Sequence, residues 1–355
     1  FIRSHMEELD YLDSGDDYKR QILDLHSMLE IGKTLNAASL SLKNVLDIVI
    51  LTCYGHFHSQ DASMLLSMEE GEKTYFAGEA ENKKISIKLT NPLEIYIKEN
   101  ERAIHIGEIK KQAGLDNTHK ILAKNGFELI VPLRFKDRIN GLLCLKRKEE
   151  DFGSEYTEDD ERYISIIAGF ASVAIENARL YEMATLDIKT KLYNHGFFAN
   201  RLTQEVERAE RYKADLTLMI LDLDHFKKVN DTYGHIVGDE VLIEVARTVK
   251  HAVRGFDIPA RFGGEEFTVI LPETGLEGAD TVAQRLKNAI KELSFSSEKG
   301  KFGIAVSIGI AGFIHESSMT DDILISHADQ ALYYAKEHGR DRVARYNEIS
   351  ESIEK

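Results

Sequence analysis

Two short segments place carboxylates where they could act on a phosphate. Leu221-Asp222-Leu223-Asp224 closes an apolar run, and strand alternation puts Asp222 and Asp224 on one face with Leu223 on the other. About forty residues on, Arg261-Phe262-Gly263-Gly264-Glu265-Glu266-Phe267 sets two glycines before two carboxylates and a further strand. A Gly-Gly pair makes a tight turn, and its missing side chains let a phosphate reach the backbone. Carboxylates converging from neighbouring strands are what Mg²⁺ and a triphosphate require. Asp-x-Asp alone is more often a solvated strand end, and Gly-Gly-Glu-Glu alone could close an ordinary acidic hairpin. Their weight comes from sharing one sheet.

The elements that must position them follow from periodicity. Buried strands are expected at Leu216–Leu223, 267–271 and 305–311, with helical patterns over 235–253, 277–293 and 321–338 between and after them. The order βαββαβ, with acids at strand ends, predicts a ferredoxin-like or polymerase-palm sheet. Upstream, residues 128–133, a polar turn at Lys136-Asp137 and residues 139–145 read as a β-hairpin. The run Ala62-Ser63-Met64-Leu65-Leu66 and the alternating Lys84-Ile85-Ser86-Ile87-Lys88-Leu89 add strand-like segments. A helix is expected over 16–38, on the spacing of Tyr18, Ile22, Leu25, Leu29 and Leu35.

A second, longer helix is expected over 157–185, opened by Thr157 with Asp160 three residues on. It carries two seams: Ile166, Phe170, Val173, Asn177, Leu180 and Ala184, and beside it Ile164, Ile167, Ala171, Ala174, Ala178 and Tyr181. Both could pack on the preceding domain. Two heptad stripes exceed what a surface helix needs, so one seam is assigned to that core and the other to the same helix of a second copy, making a homodimer.

Composition sets the outer bounds. The chain has 355 residues, 45 Lys+Arg against 60 Asp+Glu, and a net charge of −15, so it is no general binder of nucleic-acid polymers. Cys53 and Cys144 both lie in apolar stretches, which fits a reducing compartment and excludes a disulfide scaffold or Cys-rich zinc module. The uncharged run 163–175 is too short for a membrane span and contains Ser165, Gly169 and Ser172. Phe1-Ile2-Arg3-Ser4-His5 reads as a vector-derived leader ahead of Met6. A soluble cytoplasmic protein with no membrane partner is expected.

Residues 187–349 resemble a GGDEF domain of the diguanylate cyclase family, in the GGEEF spelling. Beyond 263–267, the resemblance rests on Asp222-Leu223-Asp224-His225-Phe226-Lys227-Lys228-Val229-Asn230-Asp231-Thr232-Tyr233-Gly234-His235 with Gly238-Asp239. It rests also on Ser307-Ile308-Gly309-Ile310-Ala311, and on 328–336 continuing to Gly339-Arg340-Asp341. The resemblance implies condensation of two GTP into cyclic di-GMP and two pyrophosphates. Asp222, the Leu223 carbonyl and Glu265 would hold Mg²⁺, with Glu266 as an auxiliary carboxylate; a pair of Mg²⁺ ions per site is implied, with Mn²⁺ able to substitute. Glu265 would also help deprotonate the attacking ribose 3′-hydroxyl, and Lys227 would stabilise charge on the phosphates. Gly263 and Gly264 would admit the substrate phosphates, and Lys336 and Arg340, one helical turn apart, would grip the terminal ones.

Asn230 and Asp239 match the guanine-reading positions, and Asp239 argues for GTP against a mixed adenine–guanine product. His235 falls at a substrate-contact position, a turn-stabilising histidine being its other reading. Arg254-Gly255-Phe256-Asp257 resembles the RxxD inhibitory product site, with Arg285 as a secondary contact. The entry motif D-x-L-T-G-L-x-N-R stands here as Asp187-Ile188-Lys189-Thr190-Lys191-Leu192-Tyr193-Asn194-His195: Lys189 replaces Leu, Lys191 replaces Gly and His195 replaces Arg. A non-catalytic receptor for GTP or cyclic di-GMP that signals by contact is the alternative.

The fold class implied is α/β (α+β): residues 16–156 form a GAF-like antiparallel sheet with an N-terminal helix, 157–186 a signalling helix, and 187–349 the catalytic palm, after a leader over 1–15. A PAS-like fold competes for the first domain. Asn140, Lys146 and Phe152 resemble a motif of cyclic-nucleotide-binding members, so cAMP or cGMP is the candidate ligand, against an unliganded module used for dimerisation.

Overall fold

The computed structural model describes residues 15–38, 40–67, 74–77, 87–88, 91–100, 102–149, 155–315 and 319–353. The leader over 1–14, residues 84–86 and Leu89 of the alternating run, and Phe152 lie outside the described residues. The chain divides into two compact units, Phe1–Glu182 and Met183–Lys355.

The first unit opens with helices α1 (Gly15–Ala38) and α2 (Leu42–Phe57) and strands β1 (Ala62–Ser67), β2 (Thr74–Ala77) and β3 (Ile87–Lys88). It continues through α3 (Asn91–Glu99), β4 (Ile104–His105), α4 (Ile106–Ile109) and α5 (Asp116–Lys124) to the hairpin β5 (Phe127–Phe135) and β6 (Arg138–Lys146). These strands form one antiparallel sheet in the order β3-β2-β1-β6-β5-β4. Alternation along the hairpin feeds two cores. Leu129, Val131, Leu143 and Leu145 pack with Val45, Val49 and Phe57 of α2, while Ile130, Leu142 and Cys144 pack with Leu93, Ile97 and Leu122. Cys53 and Cys144 are buried in opposite cores; burial pushes the Cys53 thiol up to about 12 and the Cys144 thiol upward as well.

Helix α6 (Glu158–Thr185) starts with a reciprocal cap: the Asp160 N–H donates to Thr157 Oγ1 at 3.2 Å and the Thr157 N–H to Asp160 Oδ2 at 2.8 Å. Asp160 also holds Lys148 Nζ at 2.5 Å, and Glu161 meets His105 Nε2 at 2.7 Å. Of the two seams, Ile164, Ile167, Ala171 and Ala174 enter the first core. Ile166, Phe170, Val173 and Leu180 stay between 37% and 53% exposed. Only part of the second seam packs on the preceding domain: the Phe170 ring lies against α1, 3.3 Å from where a Cβ on Gly32 would stand, while Ile166, Val173 and Leu180 remain on the outer face of the helix.

The second unit contains α7 (His195–Tyr212), β7 (Leu216–Leu223), α8 (Phe226–Tyr233), α9 (His235–Ala252), β8 (Ile258–Gly263), β9 (Glu266–Pro272) and α10 (Leu276–Lys291). A small hairpin, β10 (Phe295–Ser297) with β11 (Gly300–Phe302), precedes β12 (Val306–Gly312), α11 (Asp321–Glu337), β13 (Val343–Arg345) and α12 (Tyr346–Ile353). The sheet order is β13-β12-β7-β9-β8, antiparallel except for the β12–β13 pair. Odd residues of β7 (Met219, Leu221, Leu223) face α9 and α10, and even ones (Leu216, Leu218, Ile220) face α7 and α11. Both faces are covered, which is why β7 reads as a continuous apolar run.

Candidate active site

Asp222 is the last even residue of β7, so it emerges on the α11 side as the core ends. Its Cα partner on β9 is Glu266, and the Leu223 N–H donates to the Glu265 carbonyl at 3.4 Å. The turn that presents Glu265 differs in detail from the expected Gly-Gly turn. Gly263 is the last residue of β8 and pairs with Glu266, so Gly264 and Glu265 make the bend, with Gly264 at φ +49°. A Cβ built on either glycine meets nothing within 4 Å among the described residues, so the space above the turn is open to them.

Helix α11 reaches this edge through a close approach. At Gly309 a Cβ would stand 2.2 Å from the Ala328 carbonyl and from the Leu332 N–H nitrogen, so only glycine lets α11 lie on β12 there. The same helix then carries Lys336 to Asp222, Nζ 2.9 Å from Oδ2. Burial pushes the Asp222 carboxyl above its ordinary range; Lys336 opposes that, while Glu265 and Asp224 add repulsion. Burial raises Glu266 too, with Asp222 adding to it. Among the described residues no three His, Cys, Asp or Glu side chains form a ready-made metal cage. The donors available, hard carboxylates crowded enough to raise one another and already compensated by an ammonium, fit a hard divalent cation.

Of the Asp-x-Asp pair, only Asp222 is available. Asp224 is buried and accepts from Ser307 Oγ at 2.7 Å and from the Asp341 N–H at 3.0 Å, tying β12 and the loop after α11 to the end of β7. That loop corrects the expectation for Lys336 and Arg340. They are not a turn apart on one helix: α11 ends at Glu337, Gly339 and Arg340 take left-handed φ values of 110° and 60°, and the Arg340 N–H returns to the Ala335 carbonyl at 3.0 Å. Arg340 is therefore exposed on a capping loop.

Arg261, quoted in the motif but given no role from sequence, braces the turn. Its Nη2 donates to the Gly264 carbonyl at 2.8 Å and its Nη1 to Asp187 Oδ1 at 3.1 Å. Asp187 also accepts from the Thr190 N–H at 2.8 Å and hydroxyl at 2.7 Å. The entry segment is thereby wired to the Gly-Gly-Glu-Glu turn. An arginine two residues before the first glycine and an aspartate opening the entry motif are the only sequence signal of that link.

Asn230 on α8 lies against α9, where a Cβ on Gly238 would stand 1.9 Å from Asn230 Oδ1, and Asp239 is the next residue of that helix. The Lys189 ammonium donates to Asp239 Oδ1. Lys227 and His235 are exposed on α8 and at the start of α9. On the same unit, a cavity of about 800 Å³ is lined by His251, Arg254 and Arg285, among others. Asp257 does not line it. Its Oδ2 accepts from the Arg254 N–H at 2.7 Å, its Oδ1 has no partner among the described residues, and burial raises its carboxyl. In the first unit, Asn140 donates to the Ser172 carbonyl at 3.5 Å and Glu176 Oε2 at 3.3 Å, and Lys146 pairs with Asp61 at 2.7 Å. Both are thus engaged within their own unit.

Residues 184–342 match the family described as "Diguanylate cyclase, GGDEF domain". Diguanylate cyclase A of Treponema denticola is 30% identical over 343 residues, covering 94% of this chain and 92% of that protein. Response regulator PleD of Caulobacter vibrioides is 37% identical over 164 residues, 46% of this chain and 36% of that protein. Among solved structures, the GGDEF domain of DgcB from Caulobacter crescentus, in complex with c-di-GMP, is 31% identical with a TM-score of 0.45, over 46% of this chain and 96% of that one. With the relative that runs nearly its whole length, and with its own Asp222, Gly263–Phe267 and Lys336 gathered at one sheet edge, the chain belongs to the GGDEF family of diguanylate cyclases.

Proposed function

We propose that the chain condenses two GTP into cyclic di-GMP and two pyrophosphates between the catalytic units of a homodimer, governed by a GAF-type sensory unit. The observation that carries this reading is the meeting of Asp222, Glu265, Glu266 and Lys336 at the β7–β9 edge, beside an open glycine turn. Divalent metal ions, which cyclases of this family use, would be held by Asp222, the Leu223 carbonyl, Glu265 and Glu266, would be Mg²⁺ or Mn²⁺, and would neutralise the triphosphate and acidify the ribose 3′-hydroxyl.

The residues of the chain then divide the work. Asn230 and Asp239 hold guanine and His235 adds a substrate contact. Glu265 takes the 3′-hydroxyl proton as that oxygen bonds to the α-phosphorus of the facing GTP. The α–β bridging P–O bond breaks, and pyrophosphate leaves toward Lys227, Lys336 and Arg340. Lys336 must release Asp222 for this, so its ammonium serves as the counter-charge of the empty site and as a phosphate grip in the filled one. One unit holds one GTP, so the ring closes only when a second copy faces it. The exposed Ile166, Phe170, Val173 and Leu180 stripe supports the pairing of α6 helices.

The six-stranded antiparallel sheet with helical cores on both faces supports a GAF-type first unit. A small ligand there, cAMP or cGMP being the first to try, would act by favouring one pairing of α6 over another. The cavity beside Arg254 and Arg285 supports a product-inhibition site held by those two cations, Asp257 acting as the cap of the Arg254 loop.

Chromatography of products formed from GTP and Mg²⁺ by dialysed protein, with and without cAMP and cGMP, tests the reading beside Glu265→Ala. Cyclic di-GMP from the wild type alone is expected, with a rate that responds to the sensory ligand. Absence of product, with cyclic di-GMP still bound at equilibrium, would establish the receptor reading instead.

A further inference from the structure

Lys189 stands where the family's entry motif has leucine, and the ammonium that replaces the apolar side chain sits on Oδ1 of Asp239. The other oxygen of that carboxylate carries no hydrogen bond among the described residues. Lys189 and Asp239 are 38% and 43% exposed, so the pair is open to a ligand, and an ion pair this exposed contributes little to folding. The Lys189 backbone is well placed to hold its position. Asp187 and Thr190 close a turn around it, the Lys191 N–H donates to the Asp187 carbonyl at 2.9 Å, and Arg261 ties Asp187 to the glycine turn.

We propose that Lys189 is a third guanine-reading residue, donating to O6 while Asp239 accepts from N1–H and N2–H. The Watson–Crick edge of guanine presents an acceptor and two donors side by side. An ammonium resting on a carboxylate offers a donor and two acceptors in the complementary order. The three protons of Lys189 let it keep Oδ1 and still donate to O6. Adenine presents the reverse at the first two positions, a donor at N6 against the ammonium and an acceptor at N1 against the carboxylate. A site built this way selects by leaving its own charged groups unanswered when the wrong base enters. The inference rests on Asp239 as a guanine reader.

The experiment compares kcat/KM of the full chain for GTP, 6-thio-GTP (a weaker acceptor in place of O6) and ITP (no N2 amine). Wild type should prefer GTP over 6-thio-GTP by about 3- to 10-fold. Lys189→Met should lose most of that preference while keeping GTP over ITP, and Lys189→Arg should restore it. An unchanged 6-thio preference in Lys189→Met overturns the proposal, and so does a lower KM for GTP, which would mean that Lys189 blocks the pocket. Asp239→Ala separates the two levels. If it retains GTP over ITP, the guanine-reading assignment fails and this inference with it. If it loses that preference while Lys189→Met behaves as wild type, only the role of Lys189 falls.

Discussion

Along the first unit's β5–β6 hairpin and its exit, polar side chains are answered from within. Asn140 reaches Ser172 and Glu176, Lys146 meets Asp61, the buried Lys148 meets Asp160, and the Tyr156 hydroxyl donates to the Lys146 carbonyl at 2.6 Å. At the matching edge of the second unit the accounts stay open. Burial pushes both Asp222 and Glu266 upward, with Glu265 and Asp224 adding to the first and Asp222 to the second, and the side chains of Lys227, Glu265 and Arg340 make no hydrogen bond or ion pair among the described residues. Groups left in that state need a ligand to complete them, which is how an edge becomes a site. What the first unit leaves incomplete is instead apolar, the outer stripe of α6.

The sharpest way to break the contrast is to delete one group from each edge. Glu265→Ala should cut turnover by about 10²- to 10⁴-fold without lowering the melting temperature, since its carboxylate supports nothing else. Lys148→Met should do the reverse, costing about 2–4 kcal/mol by stranding the partly buried Asp160 while leaving turnover per folded molecule unchanged. Calorimetry and product assays on both variants decide it. A stability loss in the first, or a turnover loss alone in the second, would mean that the two edges are not distinct in kind.

Next in size is the apolar stripe. Val173→Glu and Leu180→Glu place charges on the exposed seam, and each should lower specific activity more than about 10-fold at dilute protein, with recovery as concentration rises. Sedimentation should show the matching shift from dimer to monomer. Identical mass and activity in variant and wild type would remove this face from the assembly.

A smaller, pH-dependent effect is expected at the brace. Burial pulls the Asp187 carboxyl up, but the hydrogen bonds from Thr190 and the Arg261 guanidinium outweigh it and leave it below the ordinary value. A carboxyl lowered in the folded state contributes stability above its unfolded value, about 3.9, and loses it as pH falls through the folded one. Asp187→Asn should therefore be less stable by about 1–3 kcal/mol at neutral pH, and the gap should close below about pH 4. A gap that stays constant down to pH 3 would show that charge is not what Asp187 supplies.

How much of this was legible depends on whether the signal was periodic or relational. Strand β7 could be read as Leu216–Leu223 because both its faces are covered, and the carboxylates and lysines came with a recognisable motif. The two seams of α6 could be read from spacing, although only packing decides which one is buried. Arg261 reaching Gly264, Asp224 spent on Ser307 and Asp341, and Asp257 folded back on its own loop are contacts that no periodicity encodes. Arg340 was misplaced for a related reason: four residues of spacing imply one helical face only if the helix continues, and here it stops at Glu337. Helix α7 drew no sequence expectation, although Asn194 caps it by accepting from the Phe197 N–H at 2.9 Å.

The smallest expected effect concerns a second substituted position of the entry motif. Lys191 adopts φ +57°, a left-handed conformation that glycine reaches freely and a side chain occupies at a cost of about 1 kcal/mol. The turn demands it: the Lys191 N–H donates to the Asp187 carbonyl at 2.9 Å and the Asp187 N–H to the Leu192 carbonyl at 2.8 Å, so the chain must reverse at this residue. The family's glycine fits that geometry without strain, and its absence here explains why lysine must be held there by the Asp187–Thr190–Arg261 brace. Lys191→Gly should therefore stabilise the second unit, but by less than the full strain, about 0.5 kcal/mol, because glycine also gains freedom in the unfolded chain. The gain should be larger in the Asp187→Asn background, where the brace no longer shares in fixing the turn. A double-mutant cycle read by denaturant midpoints measures that coupling, and strict additivity would show that the strained residue and the brace act independently.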